Sequence, residues 1–351
     1  MNVAGLLVDA VKMEASDIFV IAGSPVVYKV NGNFTPVSEA LSADIASDFV
    51  AGLYKMAKDR DVDRVIGDGD DDFSVAIAGI SRFRVNVYKQ RGSVAAVVRV
   101  IRFELPKPEE LGIPAQVMEL AEKKRGLILI TGMAGSGKST TLACLIDRIN
   151  NTRSGHIVTL EDPLEFLHPH RKSIVSQREV ELDTQSYIKA LRASLRQSPD
   201  VVLLGEMRDH ETISTAMTAA ETGHLIFSTL HTIGAANTID RVIDAFPSNQ
   251  HNQIRVQLSM TLQAVVSQQL IPTKDGKVAP AFEIMIVNSA IRNMIREAKV
   301  HQIDSVIYSS SGEGMVTMDT SILDLYKSGI ISGESAITYS VNPEVMAKRM
   351  K

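Results

Sequence analysis

A single cysteine, Cys144, among 351 residues excludes an intramolecular disulfide and any zinc site built on several cysteines. Tryptophan is absent and aromatics are 5% of the chain, so stacking platforms for single-stranded nucleic acid are scarce. There is no basic excess: 37 Lys and Arg stand against 41 Asp and Glu, a formal net charge of -4. A protein whose main contact is a phosphodiester backbone shows the opposite balance, so no nucleic-acid partner is expected. No apolar run approaches the ~18 residues of a transmembrane helix. The start, Met1 to Asp9, lacks the basic stretch and long apolar core of a signal peptide. The expected location is the cytoplasm.

What is present is an ordinary globular composition, 45% hydrophobic and 22% charged, with length for two or three domains. Residues 1–104 read as a small α+β domain. A helix over 2–14 has Leu6, Leu7, Ala10 and Val11 on one face, and a strand follows at 17–22. Strands at 26–30 and from 33 flank Asn31-Gly32, a hairpin turn signal. A helix over 43–58 comes next. The acidic run 68–72 reads as a turn before a strand, since the later glutamate of a calcium loop is missing. Three strands then span 73–78, 81–88 and 94–101. Two prolines and mixed charge over 103–110 mark a connection, and residues 105–115 are taken as a linker. From 116 the pattern becomes strand–helix alternation. Apolar runs at 126–131, 156–160, 201–204 and 225–228 fit strands of a mostly parallel sheet buried on both faces. Short helices fill the end, including 317–328 and 333–340.

The sharpest motif is Gly132-Met133-Ala134-Gly135-Ser136-Gly137-Lys138-Ser139, preceded by a strand pattern and followed by a helix pattern. Its glycines let backbone N–H groups turn inward around phosphates, and the helix start adds the positive end of its dipole. Lys138 supplies a point charge for the β and γ phosphates, and Ser139 a hydroxyl for Mg2+. Hydrolysis needs carboxylates as well. Two acidic clusters sit at strand ends, where open α/β sheets place ligands: Glu161-Asp162 with Glu165, and Glu206 with Asp209. The second resembles a metal-binding acidic strand whose usual Asp position is Gly205, leaving Glu206 as the acid. Helix capping is the competing role for each acid. His224 and His231 bracket an apolar strand. No further ligand sits at metal spacing, so His231 is either structural or a neutral imidazole that senses a γ-phosphate. Arg82, Arg84, Arg91 and Arg99 lie on alternating strands; they belong to a solvated sheet face or reach a nucleotide. Cys144 reads as packing in the helix after the loop.

Taken together, Gly132 to Thr140, Glu161 to His168, Gly205 to Asp209 and Thr218 to Thr232 resemble the Walker A, Asp box, Walker B and His box of the secretion ATPase superfamily. Val175 to Val180 and Ala290-Ile291-Arg292-Asn293-Met294-Ile295-Arg296-Glu297 are similar to its PilT-like branch, the type IV pilus retraction ATPases. The resemblance implies an α/β fold: a RecA-like P-loop ATPase domain over 116–351, with C-terminal helices at about 288–345, preceded by a smaller α+β PAS-like domain. It implies a homohexamer using ATP and Mg2+, with the metal on Ser139 and Glu206. Nucleotide contacts fall on Gly132, Ala134, Gly135, Ser136, Gly137, Lys138, Ser139 and Thr140. Catalytic positions fall on Glu165, Glu206, Arg84, Arg99, His224 and His231. Implied partners are an inner-membrane pilus platform protein and a second, PilU-like motor, met at the cytoplasmic face of that membrane. Met133 and Ala134 depart from the usual Pro-Thr of the loop, which puts the strength of nucleotide contact in question. The competing readings are a pilus-assembly or type II secretion ATPase, disfavoured by the missing four-cysteine motif, a RecA-like nucleic-acid translocase, and a regulatory nucleotide-binding module without turnover.

Overall fold

The structure is a computed structural model that describes every residue except 1, 31, 58–59, 62 and 102–104, and not the side chains of 64 and 66. The chain divides into two compact units, Met1–Glu104 with Glu165–Leu167, and Leu105–Leu164 with His168–Lys351.

In the first unit α1 (Val3–Lys12) precedes β1 (Asp17–Val20), β2 (Pro25–Val30) and β3 (Asn33–Ala40). Then come α2 (Ala43–Met56), α3 (Asp63–Asp68), β4 (Asp70–Ile77), β5 (Ser81–Gln90) and β6 (Ser93–Ile101). The strands form one antiparallel sheet in the order β3-β2-β1-β6-β5-β4. Alternation along β5 sends Phe83, Val85 and Val87 into a core with Leu7 and Ala10 of α1 and Phe49 and Leu53 of α2. Asn31 of the expected hairpin turn, Lys58 at the expected helix end, and residues 103–104 of the proline-rich connection lie outside the described residues. The acidic run is not a turn: Asp70–Asp72 open β4. Alternation turns Asp71 inward, where it accepts from Tyr54 Oη at 2.9 Å and from Arg60 at 2.7 and 3.0 Å. A buried carboxylate needs such partners.

The second unit runs α4 (Ala115–Glu119), β7 (Gly126–Thr131), α5 (Lys138–Thr152), β8 (His156–Glu161), β9 (Ile174–Glu179), α6 (Tyr187–Ser194), β10 (Val201–Leu204), α7 (His210–Glu221) and β11 (Leu225–Leu230). It continues with α8 (Ala235–Asp244), α9 (His251–Thr261), β12 (Leu262–Pro272), β13 (Val278–Ile286), α10 (Ser289–Arg296), α11 (Ile303–Ser309), α12 (Met318–Lys327), α13 (Gly333–Tyr339) and α14 (Pro343–Arg349). The sheet order is β13-β12-β7-β11-β10-β8-β9, parallel throughout except for the antiparallel edge strand β13. β7 shows how two cores share one strand. Leu127 and Leu129 point into the layer holding α6 to α11, while Ile128 and Ile130 face α4 and α5. A strand buried on both faces reads as a continuous apolar run, as β7 does. A smaller cluster packs α12, α13 and α14 through Met318, Ile322, Ala336 and Met346. Among the described residues no helix is long and apolar enough to cross a membrane.

β7 has β12 on one side and β11 on the other, so the strand order reverses beside it. Open α/β sheets bind ligands at the carboxyl ends of strands next to such a reversal. The loops leaving β7, β8, β10 and β11 all emerge at that edge.

Candidate nucleotide-binding and hydrolysis site

The loop from Gly132 to Gly137 bends back because three glycines take positive φ, 144° at Gly132, 76° at Gly135 and 89° at Gly137. Two of them also have no room for a side chain. A Cβ on Gly132 would stand 2.3 Å from the Gln268 carbonyl oxygen, and one on Gly137 would stand 2.8 Å from Gln268 Nε2. Gln268, on β12, accepts from Thr141 Oγ1 at 2.8 Å and so ties the first turn of α5 to the sheet. Its importance was not visible in the sequence, because the two residues are 127 positions apart.

Lys138 is buried, and its Nζ donates to the carbonyls of Gly132 at 2.8 Å and Met133 at 2.9 Å. The N-cap of α5 is Gly137, which has no side chain to satisfy the first-turn N–H groups. Those donors and the helix dipole together favour an anion. Ser136 Oγ is buried without a hydrogen-bond partner among the described residues. A glycine arc that excludes Cβ atoms, a buried ammonium and an unspent hydroxyl form a cradle that fits a polyphosphate. Met133 and Ala134 are exposed on its outer lip, so a hydroxyl missing at 134 leaves no buried group unsatisfied.

Glu206 follows β10. Its side chain is 12% exposed, pairs with the exposed Arg208, and lies 3.5 Å from His231 Nε2. Gly205 is small for a reason: a Cβ there would stand 2.6 Å from Tyr187 Oη and 3.2 Å from the Leu160 carbonyl. Tyr187 therefore occupies space that an aspartate side chain would need. Burial, and then Asp162, Glu206 and Glu161, push its pKa far above the ordinary phenol value. It stays neutral near three carboxylates, a residue whose place only tertiary packing reveals. Hard oxygen donors of this kind suit Mg2+, which keeps several waters and takes one or two protein ligands. Among the described residues there is no cluster of three or more His, Cys, Asp or Glu that could hold a metal alone.

The two histidines do not meet. His231 follows the carboxyl end of β11, whereas His224 precedes its amino end and its Nδ1 lies 3.0 Å from the Ala219 carbonyl. With the six residues of β11 between them, the pair lies ~23 Å apart at about 3.3 Å per residue. Within this chain the two histidines therefore lie at opposite ends of β11. Glu165, Arg84 and Arg99 belong to the first unit. Arg84 and Arg99 sit directly opposite each other on β5 and β6. Arg84 Nε lies 3.7 Å from Asp72, and Arg99 Nε donates to Asp17 at 3.1 Å.

His168 closes the segment after β8. Burial pushes its imidazole pKa down to about 4. The unfolded chain binds that proton near 6.5, so it holds more protons than the folded one between the two values. Stability from this residue is complete above ~6.5 and falls by about 3 kcal/mol as pH drops through the folded value. His168→Gln should flatten the loss of thermal stability between pH 7 and pH 4; an unchanged slope would remove His168 as its source.

Ala290 to Arg296 lie in α10, with Glu297 as its C-cap and Asn288 as its N-cap, whose side chain accepts from Ile291 N at 3.1 Å. Ile291 and Ile295 are buried, and Arg292 donates to the Ser259 and Met260 carbonyls at the end of α9. Ala290, Asn293, Arg296 and Glu297 are exposed. One motif thus has an anchoring face and a free face.

Residues 2–319 match the protein family described as Type II/IV secretion system protein. The chain belongs to that family. It is 44% identical to the type IV pilus retraction ATPase PilT of Pseudomonas aeruginosa, over 98% of this chain and 99% of that one. It is 40% identical to the type IV pilus ATPase PilU of the same organism, over 94% of this chain and 86% of that one. The crystal structure of the pilus retraction motor PilT with bound ADP is 43% identical and superposes with a TM-score of 0.91, over 99% of both chains. This secretion-family chain therefore shares the α/β fold of a solved relative that carries bound ADP.

Proposed function

We propose that this chain is an ATPase motor that powers retraction of a type IV pilus, acting as a homohexamer at the cytoplasmic face of the inner membrane on a membrane-embedded pilus platform protein, alongside a PilU-like second motor. The observation that carries this reading is the full-length likeness to PilT joined to a phosphate cradle and the Glu206 carboxylate at one edge of one parallel sheet.

Lys138, Ser136 and the backbone from Gly132 to Thr140 hold the phosphates. Ser139 and Glu206 would hold Mg2+, which would supply neutralisation of the phosphate charge. Glu206 orients the attacking water and takes its proton, and His231 at 3.5 Å fixes the carboxylate. Glu165, Arg84 and Arg99 are the further catalytic positions that the likeness to PilT implies. The base extends along the face of α5 that Thr140, Cys144, Asp147 and Arg148 share. A cavity of ≈ 400 Å³ lies there, lined also by Pro106, Pro108, Ile113 and Met118. Cys144→Trp should fill it and weaken ATP binding by about tenfold or more, read by nucleotide titration. Unchanged affinity would move the base elsewhere.

Deletion of the gene in its host tests the whole reading. Cells that accumulate surface pili and lose movement, with both restored by this chain, support retraction. Bald cells would support an assembly ATPase instead. The free face of α10 is the second handle. Ala290→Arg should leave ATP turnover within about twofold, because the site is a surface one, and abolish retraction. Retained movement would sever α10 from the pilus machine.

A further inference from the structure

We infer that the C-terminal helices carry a docking pocket for a basic side chain flanked by apolar residues, presented by a segment of a partner protein. The pocket has a volume of ≈ 330 Å³ and is lined by Glu283, Asp304, Asp319, Tyr308, Val341 and Val345, with Arg349 also at its wall. That volume is at the low end for ligand sites and suits one inserted side chain better than a cofactor. The rim is apolar and open: Tyr308 is 64% exposed, Val341 64% and Val345 43%. Large exposed apolar side chains gathered round a cavity mark an interaction site more often than chance placement does. The lining is acidic, from buried Glu283 through Asp319 to exposed Asp304, three carboxylates against one guanidinium, and among the described residues none of the three is in an ion pair.

Each acid already has a structural hold that keeps it in place. Asp319 accepts from Val341 N and Asn342 N at 2.6 and 3.1 Å, which clamps the start of α14 to α12. Glu283 accepts from Ala235 N at 2.7 Å and Met318 N at 3.4 Å, so one carboxylate caps the amino ends of both α8 and α12. Asp304 is exposed at the pocket's mouth, and partial desolvation raises its pKa. Burial also raises that of Glu283, outweighing its two backbone donors, with Asp304 adding to the effect. An incoming Lys or Arg would relieve both.

Glu283 gives the pocket a route to the nucleotide. Ala235 begins α8 four residues after His231, and Gly234 N between them donates to Ser267 Oγ at 3.0 Å, on β12 next to Gln268. A cation in the pocket favours ionised Glu283, tightens its bond to Ala235, and so fixes the His231 loop. The source of the segment rests on the retraction reading: cytoplasmic loops of membrane proteins carry excess Lys and Arg.

The test uses the purified full chain and a capped pentapeptide with one arginine between valine and leucine, compared with the same peptide carrying glutamate instead. Binding is followed by the methyl resonances of Val341, Val345 and Met318, and ATP turnover is measured at peptide saturation. The arginine peptide should shift those resonances and change turnover, while the glutamate peptide should do neither. Asp304→Asn and Tyr308→Ala should each weaken binding about tenfold and leave basal turnover unchanged. Equal responses to both peptides, or undiminished binding in Asp304→Asn, would overturn the pocket's charge preference. Loss of self-association in Tyr308→Ala, seen by light scattering, would assign the face to a second copy and overturn the proposal. None of these measurements involves a pilus, so the pocket and the retraction reading fail separately.

Discussion

Glu206→Gln should leave a folded protein that binds ATP and turns it over about a thousandfold more slowly. The magnitude lies within the 10²–10⁴-fold range for a lost general base. The amide keeps the volume of the carboxylate and cannot take a proton from water. It also loses the charge that Arg208 pairs with, but that guanidinium is 76% exposed, and an exposed pair contributes at most about 1 kcal/mol. Nucleotide affinity should stay near wild type, because the phosphates are held by the loop and by Lys138, and Ser139 and the amide oxygen introduced at position 206 still offer Mg2+ oxygen ligands. Steady-state turnover with a separate nucleotide titration divides the two effects. Turnover within about threefold of wild type would transfer the base role to another acid. Glu165→Gln measured beside it identifies whether that acid is the one.

How far these groups could be read from the sequence depends on how local their causes are. β7, β8, β10 and β11 announce themselves because strands buried on both faces must be apolar at every position. β9 does not, since Ile174–Glu179 is an edge strand in which Ser176, Gln177, Arg178 and Glu179 break the apolar run. β12 hides for a functional reason: Ser267, Gln268 and Gln269 interrupt it, and Gln268 is there to hold the phosphate loop and Thr141. The acidic run misled in the same way. Read as a turn, it instead alternates into β4, with only Asp71 pointed at Arg60 and Tyr54. His224 and His231 look like a pair because seven positions is a short distance in sequence. An extended strand converts those positions into the full depth of the sheet. Tyr187 had no signal at all. Its role depends on Gly205 leaving space across the fold, which neither residue's neighbours express.

Lys138→Ala should be more severe than the Glu206 change, because it removes binding and chemistry together. The ammonium braces the loop from inside through the Gly132 and Met133 carbonyls. A hydrogen bond from a charged group is worth about 1.5–3 kcal/mol, so losing the phosphate contact alone should weaken ATP affinity by roughly 10–100-fold. The two loop carbonyls then lose a buried donor, and the arc that aligns Ser136 and the α5 amino terminus relaxes. Turnover should fall below detection even at saturating ATP, since the charge on the β and γ phosphates goes unmet in the transition state. Lys138→Arg should not rescue it: a planar guanidinium cannot enter an arc so tight that even a Cβ on Gly132 or Gly137 would crowd Gln268. Titration with ATP and with ADP is the measurement that decides. Wild-type affinity for both in Lys138→Ala would mean that the phosphates do not occupy the cradle, and the functional reading built on it would fall at its base.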